Sequence, residues 1–217
     1  MQYLKLAELY EQLSSTPKRL EKTEILSKFL ELLHETDKEV LYLLLGDIYP
    51  EYDERKIGIS NQLVIKAISK ATGTTTNQVT KEWKSIGDLG KVAEKLTKKG
   101  RQTTLHQQVI TTEKILKNLR ELPELEGKGT VEKKLSLITE LLTSISPLEA
   151  KYLIRILISD LRIGLKESTI RESLAKAFFK DVKTAPEKIQ KAIDKSNDIV
   201  LVFEIAKKEK IELLEKL

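Results

Sequence analysis

The chain has 217 residues, of which 40% are hydrophobic and 33% charged, with only 9 Gly and 5 Pro. That is enough apolar material for a sizeable core and too few turn formers for a many-stranded β sandwich or barrel. The absence of cysteine excludes a disulfide framework, thiolate catalysis and cysteine-ligated metal, and two histidines, His34 and His106, cannot make a three-histidine zinc site. The 38 Lys+Arg exceed the 33 Asp+Glu to leave a net +5, which accommodates a polyanionic partner without requiring one.

The opening MQYLKLAELYEQL reads as an amphipathic helix with Leu4, Leu6, Leu9 and Leu13 at helical spacing, not as a signal peptide. After a break at Thr16-Pro17, a second helix carries Ile25, Leu26, Phe29, Leu30 and Leu33. Further breaks fall at Tyr49 to Asp53, Thr72-Gly73-Thr74, Ser85 to Asp88, Lys99 to Gln108, Glu126 to Gly129, Ser146-Pro147 and Thr184 to Pro186. The pattern predicts an all-α chain of roughly ten or more helices with short loops. Within it, Gly87-Asp88 reads as a turn and an Asp N-cap for the helix KVAEKLTKK, and the polar stretch Leu96 to Gln108 reads as an exposed connector. No apolar run approaches the roughly 20 residues needed to span a bilayer, so a cytoplasmic location is expected.

An internal duplication runs through this order at an offset of about 106 to 110 residues. Lys56-Ile57-Gly58-Ile59, leading into LVIKAISKA, matches Arg162-Ile163-Gly164-Leu165, leading into TIRESLAKA. Tyr42-Leu43 matches Tyr152-Leu153; Leu26, Ser27, Leu32 and Leu33 match Leu135, Ser136, Leu141 and Leu142; and Gly87-Asp88-Leu89 falls opposite Asn197-Asp198-Ile199. Two related halves, about 1–108 and 109–217, packed around an approximate two-fold axis into one compact domain, are expected.

Each half thus has a basic residue, an isoleucine and a glycine directly before a helix. Glycine permits close backbone approach, the helix start presents unpaired N–H groups and a positive dipole end, and Lys56 or Arg162 adds formal charge. A phosphate fits this combination; a tight turn with a solvated cation accounts for it equally. Acidic pairs one helical turn apart, Glu8/Glu11 and Glu121/Glu124, read as solvated surface, and no acid/base pair is assigned.

At this point the chain resembles the N-terminal DNA-binding domain of ATP-dependent DNA ligases, most closely the archaeal form. The residues that carry the match are QYLKLAELYEQL, KRLEKTEILSKFL, YLLLGDIYPEYDERKIGI, IKAISKATG, GDLGKVAEKL and PLEAKYLIRILISDLRIGLKESTIRESLAKAF. The resemblance implies an all-helical domain of two pseudo-symmetric halves that grips nicked duplex DNA by its minor-groove face and sugar-phosphate backbone, without regard to base sequence, for replication, repair and recombination. Carried over residue by residue, it implies DNA contacts at Arg162, Gly164 and Lys166, at Gly58 and Ser60, and at Lys18, Arg19, Lys22 and Thr23, with Gly87 added. Thr23 and Ser60 also suit helix-start hydroxyls, and the lysines also suit a solvated helix face.

The family's nucleotidyl transfer needs a lysine in a KxDG motif, and no Asp-Gly pair occurs here; nor does a P-loop. The resemblance therefore implies that ATP and Mg serve the parent enzyme through adenylation and OB-fold domains that this chain lacks, that the chain alone is non-catalytic and holds no cofactor, and that it is a monomer. It also implies a sliding-clamp segment in the connector at Gln102, Leu105 and His106, with His106 where an aromatic is usual. The competing reading is a helical protein-interaction scaffold without DNA affinity.

Overall fold

The computed structural model describes residues 1–100, 109–181, 183–208 and 211–214, and among these it is all-α with no strand. In chain order the helices are α1 (Tyr3–Ser15), α2 (Arg19–Leu32), α3 (Val40–Leu45), α4 (Asn61–Thr72), α5 (Thr76–Ile86) and α6 (Leu89–Gly100), with a short 3-10 turn at Glu35–Asp37. Then come α7 (Thr112–Glu124), α8 (Thr130–Ser144), α9 (Pro147–Leu157), α10 (Glu167–Phe178), α11 (Ala185–Ser196), α12 (Ile199–Lys207) and the single turn α13 (Ile211–Leu214). Local chemistry sets many of these boundaries: the side chains of Ser60, Thr75, Thr111, Ser146 and Asp198 each accept a backbone N–H at the start of a helix. At α9 this becomes a capping box, with Glu149 returning a bond to the Ser146 backbone and Pro147 in the first turn.

The matched sequence segments fall in α2 and α8, α3 and α9, α4 and α10, and at the starts of α6 and α12. Packing, however, draws on both halves of the sequence. One compact unit comprises residues 1–8 and 55–161, where α4 packs on α8 and α6 on α9. The other comprises residues 9–54 and 162–217, where α10 packs on α2 and α12 meets α3. The boundary expected near residue 108 is therefore a boundary of sequence; each unit of packing takes its first helices from one half and its last from the other.

In the first unit α6 and α9 approach closely because Gly90 has no side chain: a Cβ there would lie 2.6 Å from the Lys151 carbonyl oxygen and 2.8 Å from Arg155 Cγ. Beside it, Asp88 takes the Lys91 N–H (3.2 Å) on Oδ1, as the sequence suggests, and accepts a 2.6 Å bond from Arg155 on Oδ2. Both side chains of this ion pair are buried, and Arg155 also lies over the Tyr152 ring and donates to the Leu161 carbonyl. In the second unit the duplicated aspartate, Asp198, caps α12 and accepts from the Tyr42 hydroxyl at 2.9 Å. Burial, reinforced by this carboxylate, pushes the Tyr42 phenol well above its ordinary value. Tyr10 donates to the Leu43 carbonyl at 2.6 Å, and Phe178 meets Phe203 edge to face.

Removing one member of a buried ion pair strands the other charge. Arg155→Ala is expected to lower the unfolding free energy by about 3–5 kcal/mol, measured by urea denaturation; a loss near zero would show that Asp88 finds another counter-charge or water.

Candidate functional site

The sequence-predicted residues sort into the two units. Lys18, Arg19, Lys22, Thr23, Arg162, Gly164 and Lys166 belong to the second, and Gly58, Ser60 and Gly87 to the first. Gln102, Leu105 and His106 lie outside the described residues.

In the second unit the site is built on the α2–α10 contact. Polar side chains are buried there beside apolar ones: Lys22, Thr23 and Ser27 with Leu26 and Leu30 of α2, and Thr169 and Ser173 with Ile170, Leu174 and Ala175 of α10. Buried polar groups need partners, and Lys22, Thr23, Ser27 and Ser173 have them. Ser173 shares its one hydroxyl proton between the carbonyls of Thr169 (2.6 Å) and Thr23 (3.3 Å), and the Thr23 hydroxyl donates to the Arg19 carbonyl. Lys22, only 6% exposed, extends its ammonium to the turn that enters α10 and donates to the carbonyls of Ile163 (2.5 Å) and Gly164 (2.9 Å). Burial pushes its ionisation below the ordinary lysine value. Lys22 and Thr23 are thus interior groups.

The turn itself is left-handed at two places. Gly164 has φ +59°, a region open to glycine, and Arg162 has φ +54°, which a residue with a Cβ adopts only when its surroundings hold it there. Arg162, Gly164 and Lys166 are exposed. Lys166 is the N-cap of α10, yet its side chain makes no capping bond, and its charge is of the same sign as the helix end it sits on. Lys18 occupies the same position at the start of α2, also without a capping bond, and is held instead by Glu21 at 2.7 Å. Arg19 forms a two-bonded pair with Glu172 of α10 while its side chain stays 57% exposed. Helix starts favour anions, and Glu21 and Glu167 stand in the first turns of α2 and α10 beside these lysine caps.

The first unit repeats the turn without these features. Gly58 has φ +60°, and Ser60 is an ordinary N-cap, accepting the Leu63 N–H at 3.3 Å. A Cβ at Gly58 would find its nearest neighbour, the Lys56 carbonyl, 3.7 Å away. Gly87 is the exposed left-handed residue that ends α5. What sequence reasoning missed is the inward course of Lys22, the Glu172 partner of Arg19 and the strained Arg162.

Comparison with known proteins follows this geometry. The model of the family described as DNA ligase N terminus matches residues 2–175. The DNA ligase of Methanosphaera stadtmanae is 40% identical over 201 residues, 91% of this chain and 35% of the relative. The DNA ligase of Methanothermobacter thermautotrophicus is 37% identical over 211 residues, 95% of this chain and 37% of its own length. That of Archaeoglobus fulgidus is 33% identical over 219 residues, covering 100% of this chain and 39% of the relative. The chain spans a little over a third of the length of these curated relatives.

The two turns offer a controlled comparison. Gly58→Ala is expected to cost about 1–2 kcal/mol, the penalty of a left-handed alanine. Gly164→Ala is expected to cost roughly 2–4 kcal/mol, because its Cβ would sit 2.7 Å from Lys22 Nζ and displace a hydrogen-bonded ammonium. Urea unfolding of the two variants measures the difference; equal costs would mean the Lys22 bonds contribute nothing.

Proposed function

Because the chain belongs to the DNA ligase N-terminal family, we propose that it grips duplex DNA through the sugar-phosphate backbone, as the DNA-holding part of a ligase that seals nicks. The observation that carries this reading is the placement of cations where stability does not ask for them. An N-cap is best served by Ser, Thr, Asp or Asn, and Ser60 fills that role in the first unit. Lys166 stands at the corresponding place in the second unit, four residues after the strained Arg162. A phosphate oxygen accepts from Arg162 and Lys166 and meets the positive end of α10, so the charge that is unfavourable in the free chain becomes favourable in the complex. Lys18 and Arg19 exchange their surface carboxylate partners for phosphates at small cost, since exposed ion pairs contribute only about 0–1 kcal/mol.

Contacts of this kind fix register and supply affinity without reading bases, which suits an enzyme that must act at any break. Gly58 and Ser60, with the exposed Lys56 beside them, offer the matching anchor of the first unit. In the complete protein, adenylation with ATP and Mg is read as the chemistry that such a grip serves.

The test is DNA binding by the full chain over a salt series. Arg162→Ala and Lys166→Ser are each expected to reduce the magnitude of the slope of log K against log salt by about one unit, equally for duplexes of unrelated sequence. Lys166→Ser should at the same time raise the unfolding free energy by about 1 kcal/mol, since serine caps where lysine does not. A wild-type chain with no salt-dependent DNA affinity would favour the protein-interaction scaffold instead.

A further inference from the structure

We propose that Lys22 is a positioning residue for DNA: its ammonium holds the Ile163 and Gly164 carbonyls inward, and so turns the Gly164 and Leu165 N–H groups, with Arg162 and Lys166, outward to a phosphate that Lys22 itself does not touch. This rests on the DNA-binding reading above and goes beyond it, because a lysine at the entry of a basic site is ordinarily taken as a phosphate contact.

A trans peptide points its C=O and N–H in opposite directions. The Ile163 carbonyl belongs to the same plane as the Gly164 N–H, and the Gly164 carbonyl to the same plane as the Leu165 N–H. Both carbonyls are drawn to one point, Lys22 Nζ, at 2.5 and 2.9 Å. Both N–H groups must then face away from Lys22, and among the described residues neither finds a protein acceptor. Gly164 is exposed, so a phosphate oxygen can approach its N–H.

The lysine is committed to this task. An ammonium has three donors, and two are engaged here in a place where the residue is 6% exposed. Its stem is fixed by the α2–α10 packing, in which Thr23, the next residue, is bonded to α10 through Ser173. Glycine at 164 follows from the same arrangement: the direction a Cβ would take is occupied by Nζ, 2.7 Å from where that Cβ would sit. The matching turn at Gly58 has room for a Cβ, so left-handed geometry alone does not require the clamp.

A double-mutant cycle on the full 217-residue chain, binding a nicked duplex at fixed salt, separates positioning from contact. Arg162→Ala alone is expected to weaken binding about tenfold, the equivalent of one charged hydrogen bond. Lys22→Met should weaken it at least as much, and in the Lys22→Met background Arg162→Ala should cost less than about twofold, because the guanidinium is no longer aimed. A general loss of stability would lower the melting temperature but leave the Arg162→Ala factor intact. Equal Arg162→Ala factors in both backgrounds overturn the proposal, since independent phosphate contacts add. If Lys22→Met fails to fold, Lys22→Gln, which keeps a polar tip but falls one bond short of the two carbonyls, replaces it in the cycle with the same two outcomes. A wild-type chain that does not bind the duplex overturns the DNA reading and this inference with it, whereas binding with additive losses overturns the inference alone.

Discussion

The packing of α2 against α10 is the contact on which the basic turn depends. Among the apolar Leu26, Leu30, Ile170 and Leu174 it buries the polar Lys22, Thr23, Ser27, Thr169 and Ser173. An apolar contact tolerates sliding, because dispersion and hydrophobic burial are nearly non-directional. A polar one does not, because each buried donor must keep its acceptor at hydrogen-bond distance or lose more than the bond contributed. Ser173 on the Thr23 carbonyl and Lys22 on the turn carbonyls therefore fix both the register of the two helices and the path of the chain into α10. The left-handed Arg162 is a consequence of that path, and its exposed guanidinium is presented by a backbone with little freedom.

The duplication gives the same parts to both units and uses them differently. Asp88 and Asp198 both cap the sixth helix of their half, yet one is neutralised by Arg155 and the other is bonded to Tyr42. The first unit is organised around a buried ion pair and the Gly90 approach of α6 to α9, with a serine cap at its turn. These are choices that favour a fixed fold. The second unit accepts a lysine cap, a strained arginine and a buried ammonium. These choices lower intrinsic stability and set lysines at two helix starts.

Much of this was legible in the sequence, for physical reasons. Helical periodicity reports which face is buried, so the all-α class and the places of the helices followed from Leu, Ile and Val spacing; Gly and Pro punctuation placed the loops. The repeated basic-Ile-Gly element located both turns, because only glycine suits φ near +60° at that point in the chain. Pairing between helices was not legible: the apolar stripe of α4 does not say whether its partner is α2 or α8. Hence the crosswise composition of the units was hidden. Lys22 was hidden for a related reason. A lysine reads as exposed by default, and only the positions of the Ile163 and Gly164 carbonyls, 141 and 142 residues away, make it an interior group.

The central claim, that the turn before α10 receives a backbone phosphate, is tested most directly by NMR titration of the 15N-labelled chain with two nicked duplexes of unrelated sequence. The account predicts that the Gly164 and Leu165 amides and the Arg162 side-chain N–H shift downfield to the same extent with both duplexes, while the Lys22 bonds to the Ile163 and Gly164 carbonyls persist. Shifts confined to other surfaces, or shifts at this turn that appear with one sequence and not the other, would contradict it.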